Sequence, residues 1–257
     1  FELFLRIISV NYDSFFVLFI NNICFKFIYK VIFSNHIYMH NTVKKLLDIE
    51  NNIKIYLEKL NIKNNPKTIA VSKTFKIEKI LPLIEYGHLD FGENKVQEAV
   101  EKWTEIKKLN SAIKLHMIGK LQTNKVKFAV QLFDYIHSVD NEKLARKIAL
   151  EQSKINKNIK IFLQVNIGDE NQKSGIDKSE VEQLVSVCKE IGLNVIGLMC
   201  IPPINVDPEN YFSEMNNLKK DLDLAELSMG MSSDYLKAVK HLSTYIRVGS
   251  SIFGQRT

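Results

Sequence analysis

Three short stretches carry the side chains that could do chemistry. In TIAVSKT (68–74) a β-branched, apolar run over Thr68–Val71 ends in Ser72, Lys73 and Thr74. Lysine is rarely buried without a partner. Alone, Lys73 therefore reads as a strand-end side chain whose stem is covered and whose ammonium reaches solvent. Held in a pocket that lowers its pKa, the same amine is a nucleophile able to form a Schiff base with a carbonyl. The other two stretches, LSMGMSSDY (227–235) and IRVGSSIFG (246–254), are rich in Gly and Ser. Glycine lets backbone N–H groups approach phosphate oxygens, hydroxyls add donors, and a following helix N-terminus favours the anion. Singly, such a loop is equally a tight turn or a cap.

The elements that must position these groups are legible from periodicity. The stripe Val43, Leu46, Leu47, Ile53, Leu57 and Leu60 predicts a helix over 41–60. Short apolar runs then predict strands over 68–72, 88–91, 115–118, 135–138, 159–165, 195–201, 227–229 and 245–248. Helix-length segments separate them, including one from about Lys76 to Tyr86 and one carrying Val96, Ala99, Val100, Trp103 and Ile106 on a single face. Asp177 with Glu180 reads as a capping box, and Asp207–Pro208 as N-cap and N1. Eight strands alternating with helices argue for a single-domain parallel (β/α)₈ barrel, with a doubly wound open sheet as the alternative. No eighth outer helix is expected after the last strand. The helix over 41–60 is expected to close the outer layer there, because the first and last strands of a closed barrel are neighbours.

Composition narrows the class. The chain has 257 residues, 46% hydrophobic and 25% charged, as a globular domain does. Its net charge of +6 is spread without a long basic block, so no nucleic-acid partner is expected. Cys24, Cys188 and Cys200 lack metal-ligand or disulfide-framework spacing. Residues 1–38 are strongly apolar, but the charge-free run 14–25 is too short for a membrane span. The mixture of Glu2, Arg6 and Asp13 does not make a basic signal-peptide start. Met39 is the first methionine, and a clean helix follows it. We expect 1–38 to be a leader, targeting segment or gene-model extension outside the domain, and 39–257 to be the domain. The expected setting is cytoplasmic, without membrane attachment, or organellar if the leader is a real address.

Barrel active sites lie at the C-terminal ends of the strands. Read in order, the exits present Lys73; Glu93 and Asn94; His116, Gln122 and Asn124; Asn166; Met199; Ser228, Gly230, Met231 and Ser232; and Arg247, Gly249 and Ser250. The seventh and eighth exits are the usual phosphate site of such barrels. A phosphate anchor facing an amine suits a carbonyl-bearing phosphate, and pyridoxal 5′-phosphate is the commonest cofactor of that description. Several of these residues have ordinary structural readings. His116 suits a satisfied core histidine, Glu93 and Asn94 suit loop bridges, and Arg247 suits a strand-end ion pair. Trp103 suits core packing, and Lys120, Lys125 and Lys127 suit a solvated face, or a second phosphate ligand.

Taken together, TIAVSKT, HLDFGENKVQE, HMIGKLQTNKVK, QVNIGDENQKSGI, GLMCIPP, LSMGMSSDY and IRVGSSIFG resemble the pyridoxal phosphate homeostasis proteins, the YggS/PROSC family. The resemblance runs from Met39 nearly to the C-terminus. It implies a barrel like the N-terminal domain of alanine racemase. It also implies Lys73 as the lysine holding pyridoxal 5′-phosphate as an internal aldimine. Ser228, Gly230, Met231, Gly249 and Ser250 match the phosphate-binding segments, Arg247 an arginine facing the pyridine nitrogen, and Asn94 a pocket-lining block. An arginine there would keep that nitrogen unprotonated and weaken the electron sink. Leu115 departs from the family where an aromatic often precedes the His116 position, and the segment 205–223 is short.

The function so implied is uptake, buffering and delivery of the cofactor to apo-enzymes by a monomer, without robust turnover and without a catalytic residue. A racemase-like enzyme is the alternative. It needs acid and base groups on both faces of a carbanion. In alanine racemases the tyrosine opposite the lysine comes from a further C-terminal domain, which a chain ending at Thr257 is expected to lack.

Overall fold

The computed structural model describes residues 39–169 and 174–255. The chain divides into Phe1–His40 and Asn41–Thr257. The expected leader over 1–38 lies outside the described residues, as does part of the block QVNIGDENQKSGI.

The second unit opens with α1 (Asn41–Lys59), whose buried stripe is Val43, Leu46, Ile49, Ile53 and Leu57. The elements that follow are β1 (Lys67–Val71), α2 (Ile77–Tyr86), β2 (Asp90–Glu93), α3 (Val96–Leu109), β3 (Lys114–Met117) and α4 (Val126–Leu132). Next come β4 (Tyr135–Val139), α5 (Glu142–Ser153), β5 (Lys160–Val165), α6 (Val181–Glu190) and β6 (Asn194–Cys200). The last are α7 (Glu209–Asp221), β7 (Glu226–Met231), α8 (Tyr235–Lys240), β8 (Tyr245–Val248) and α9 (Ser250–Phe253). Every strand pairs in parallel with the next, and β8 returns to β1. The sheet is a closed eight-stranded barrel, which excludes the open-sheet alternative. The element after β8 is one turn long, and α1 packs against α2, α8 and α9. The N-terminal helix thus covers the outer face where a long eighth helix would otherwise lie.

Parallel strands covered on both faces need apolar side chains on both. One set packs under the helices, as Phe91 does against Trp103 with ring centroids 4.9 Å apart. The other set points into the barrel, where Ile69, Tyr135, Phe162, Met199 and Tyr245 form a separate buried cluster.

Local chemistry sets the element ends. The second strand begins at Asp90, not at His88 as the hydrophobic run suggests. Gly87, with φ +100°, ends α2, its N–H bonds Ile84 O, and the His88 N–H bonds Leu83 O at 2.9 Å. That closure uses residues 87 and 88 to satisfy helix carbonyls before a strand can start. Asp177 does cap, but its carboxylate accepts the Ser179 N–H, and a 3₁₀ turn over Lys178–Glu180 precedes α6. Asp207 Oδ1 accepts the Glu209 N–H at 3.1 Å, so α7 begins one residue after Pro208. Among the described residues, no helix is long and apolar enough to cross a membrane.

Candidate active site at the barrel mouth

Strand side chains alternate faces, so steps of two climb one wall of the barrel. From the interior residue Ile69 the steps reach Val71 and then Lys73. From Tyr245 they reach Arg247 and Gly249, and from Met199 they reach Ile201. All these end residues line one cavity of about 680 Å³ at the C-terminal end of the barrel. Asn94, Met231 and Ser250 line it too. Of the residues singled out from the sequence, Lys73, Asn94, Met231, Arg247, Gly249 and Ser250 therefore share one space.

Ser228 and Gly230 are placed behind that space. The register of β7 against β8 shifts between Ser228 and Met231. This bulge turns Met231 into the cavity while Gly230, with φ +89°, packs under α8. A Cβ on Gly230 would lie 2.5 Å from Ala238 Cβ. Ser228 is fully buried inside the barrel. Its hydroxyl is a link between Arg247 and His137, which no sequence signal marked.

The guanidinium of Arg247 is 5% exposed and tied to neutral acceptors. Nη1 donates to Ser228 O at 2.6 Å and Ser228 Oγ at 2.7 Å, and Nη2 donates to Cys200 O at 2.9 Å. Burial lowers its pKa, but guanidinium remains charged in proteins. Burial also pushes the Cys200 thiol up to about 12, which leaves it unreactive.

Behind Arg247 a hydrogen-bonded chain crosses the barrel. Ser228 Oγ is 2.9 Å from His137 Nδ1, His137 Nε2 is 2.9 Å from His116 Nδ1, and His116 Nε2 is 3.0 Å from Asp90 Oδ1. Burial lowers the pKa of His116 and pushes that of His137 well below its ordinary value, so both rings are neutral. Burial raises the Asp90 carboxyl, but the His116 hydrogen bond and nearby positive charge outweigh it and hold Asp90 below its usual range. Arginine only donates and a carboxylate only accepts. The chain thus has one polarity: Arg247 to Ser228, Ser228 to His137, His137 to His116, His116 to Asp90. His116 stacks on Tyr135 and His137 on Phe162, both at centroid separations of 4.2 Å. His116 is therefore a satisfied core histidine.

The two Gly/Ser loops are joined to each other. Ser232 Oγ accepts the N–H groups of Gly249 at 3.4 Å and Ser251 at 3.5 Å, while Asp234 Oδ1 accepts the Met231 N–H at 2.6 Å. The opposite wall includes Ile118 and Gly119, which the sequence reading did not single out. A Cβ on Gly119 would lie 2.4 Å from Asn94 O, so only glycine allows this approach. Asn94 Oδ1 is buried with no hydrogen-bond partner among the described residues. Glu93 faces away from the cavity toward α3. Among the described residues no cluster of His, Cys, Asp or Glu could hold a metal ion.

The model of the alanine racemase N-terminal domain matches residues 45–257. The pyridoxal phosphate homeostasis protein of Pasteurella multocida is 36% identical over 74% of this chain and 86% of its own. The one from Aquifex aeolicus is 36% identical over 75% and 88%. This chain belongs to the pyridoxal phosphate homeostasis protein family. PipY of Synechococcus elongatus PCC7942, solved with PLP bound, superposes with a TM-score of 0.69 at 33% identity. The match covers 79% of this chain and all of PipY. Family membership agrees with the barrel and with the ordered motif blocks from which it was expected.

Proposed function

We propose that this chain binds pyridoxal 5′-phosphate in the barrel-mouth cavity and serves in cofactor homeostasis, taking it up, buffering it and passing it to apo-enzymes. The observation that carries this reading is the shared lining of one cavity by Lys73, Arg247 and both Gly/Ser loops. When bound, the group supplies an aldehyde that condenses with an amine, losing water, and a phosphate that needs donors. The chain's own features fit it. Gly249 and Ser250 stand where the loops from β7 and β8 meet, an anion position of such barrels. Arg247 offers a cation without a carboxylate in ion-pair contact among the described residues. The unmatched Asn94 Oδ1 offers an acceptor beside the cavity.

In this reading Lys73 holds the cofactor through Nζ. Met231, Gly249 and Ser250 hold its phosphate, and Asn94 forms part of the wall. Arg247 stays charged, and facing the ring nitrogen it would keep that nitrogen without a proton, which would disfavour carbanion chemistry. Ser228 and Gly230 act from behind, the first through Arg247 and the second by shaping the bulge that places Met231. We read residues 1–38 as lying outside the binding domain, and the working site as the cytoplasm.

The test is an absorbance spectrum of the full chain with added pyridoxal 5′-phosphate, before and after borohydride, for wild type and Lys73→Ala. A band that borohydride fixes to Lys73, and that the variant lacks, is expected. No band in wild type, or a fixed adduct mapped to another residue, would overturn the assignment. Amino-acid turnover by the loaded protein would then separate carrier from racemase-like enzyme.

A further inference from the structure

We propose that Lys102 and Glu98 of α3, backed by the buried Glu93, are positioning residues that set the backbone turn presenting Lys73. This rests on the reading of Lys73 as the cofactor lysine, and concerns residues that line no part of the cavity.

Lys73 is gripped on both sides. The residue before it is held twice: Ser72 O accepts from Lys102 Nζ at 2.9 Å, and Ser72 Oγ donates to Glu93 Oε1 at 2.8 Å. The residue after it is held by its N–H, which Thr74 donates to Glu98 Oε1. Thr74 has φ +67°, a left-handed conformation that a β-branched residue keeps only when its surroundings impose it. Lys102 joins both grips, because its other two bonds go to Glu93 Oε1 at 2.9 Å and Glu98 Oε1 at 3.0 Å. All three ammonium hydrogens are thereby used. The strand ladder ends where this clamp begins, at the Ser72 N–H bond to Gly92 O.

The chemistry of the clamp favours positioning over stability. Glu93 is fully buried, and its Oε1 also accepts from Trp103 Nε1 at 2.9 Å, yet Oε2 has no partner among the described residues. The Lys102 side chain is 9% exposed. A buried ion pair of this kind is generally no more stabilising than apolar packing of the same volume. What it adds here is a fixed donor and acceptor at the residue before Lys73 and a fixed acceptor at the residue after it.

The test separates binding from attachment. The full chain is titrated with pyridoxal 5′-phosphate, and the amount fixed to Lys73 by borohydride is followed in time at saturating cofactor by peptide mass. In that assay Nζ condenses with the aldehyde as water leaves, and hydride then reduces the C=N bond to a stable secondary amine. Glu98→Ala, which removes the Thr74 grip and one of the three Lys102 bonds but leaves Lys102 on Ser72 O and Glu93, is expected to keep the saturation concentration and to stay folded, with an unfolding midpoint close to wild type. Its attachment rate should fall about ten- to a hundredfold, the range expected when a reacting group is misplaced by about an ångström. Lys102→Met should fall further and Lys102→Arg should recover most of the rate. If Lys102→Met does not fold, Glu98→Ala decides alone. A folded Glu98→Ala with wild-type attachment rate overturns the proposal. An adduct that persists in Lys73→Ala instead overturns the underlying assignment of Lys73.

Discussion

Arg247 Nη1 reaches Ser228 Oγ across 2.7 Å, which ties the cation at the cavity to the barrel interior and not to a carboxylate. The Ser228 hydroxyl hydrogen is already committed to His137 Nδ1, so its lone pairs are free to face the guanidinium. Ser228→Ala removes a donor from His137 and an acceptor from Arg247 at once. A buried group left unmatched costs about 1–3 kcal/mol. The variant should be less stable by that order in urea unfolding. It should also bind pyridoxal 5′-phosphate more weakly, because Arg247 keeps only its two backbone acceptors. Unchanged cofactor affinity in a folded Ser228→Ala would show that Arg247 needs no orientation from behind.

The histidine chain makes stability depend on pH with a definite sign. His116 and His137 have folded pKa values below their ordinary value because they are buried. An unfolded histidine takes a proton as pH falls through about 6.5, and the folded ones do not follow. Stability is thus fully present above that value and is lost progressively as pH falls below it. Each histidine contributes a slope of at most about 1.4 kcal/mol per pH unit, between its unfolded and its folded pKa. Urea unfolding between pH 7.5 and 5 should show a decline that His137→Phe makes shallower by about one proton. A flat profile for wild type would sink the neutral-ring assignment and with it the polarity of the chain.

Trp103 shows how little room the clamp beneath Lys73 leaves. Its ring packs on Phe91, and its Nε1 donates to Glu93 Oε1 at 2.9 Å. Trp103→Phe keeps an aromatic ring but withdraws one of three donors from a carboxylate that water does not reach. A loss of about 1–3 kcal/mol follows from such a deletion. Thermal unfolding of the variant checks it, and a change within error would mean that Lys102 and Ser72 satisfy Glu93 without Trp103.

The barrel was legible because its signals are local: strand-length apolar runs, helical stripes, and Gly/Ser loops at the last two exits. Lys73, Asn94, Met231, Arg247, Gly249 and Ser250 followed once the strands were counted, since a barrel gathers strand exits at one mouth. Ser228 and Gly230 were grouped with them because the bulge in β7 leaves no mark in LSMGMSSDY. Glu93 ends β2 and Asn94 follows it, and the two face opposite ways, so only the register tells which one enters the cavity. His137 and Lys102 were not singled out at all. The bonds that tie them to the site run to Ser228 and Ser72, 91 and 30 residues away respectively. Long-range hydrogen bonds of this kind have no periodicity to read. His116 was read as core, and the structure supplies its partners, Asp90 and His137.

Two glycines of the cavity wall allow shape and ligand contact to be separated. A Cβ on Gly119 would meet Asn94 O at 2.4 Å and Asn94 Cα at 2.8 Å, both backbone atoms that cannot rotate away. A Cβ on Gly249 would meet only Val71 at 3.4 Å, an ordinary contact, and φ there is −118°, open to any residue. Gly119→Ala should therefore displace the β2 exit, lower stability by about 1–3 kcal/mol as overpacking does, and weaken cofactor binding. Gly249→Ala should leave the unfolding midpoint nearly unchanged while its methyl group obstructs the side of the cavity proposed for the phosphate. Parallel thermal melts and pyridoxal 5′-phosphate titrations of the two variants distinguish these effects. A Gly249→Ala protein that binds as wild type does would move the phosphate away from the β8 loop, and with it the assignment of Ser250.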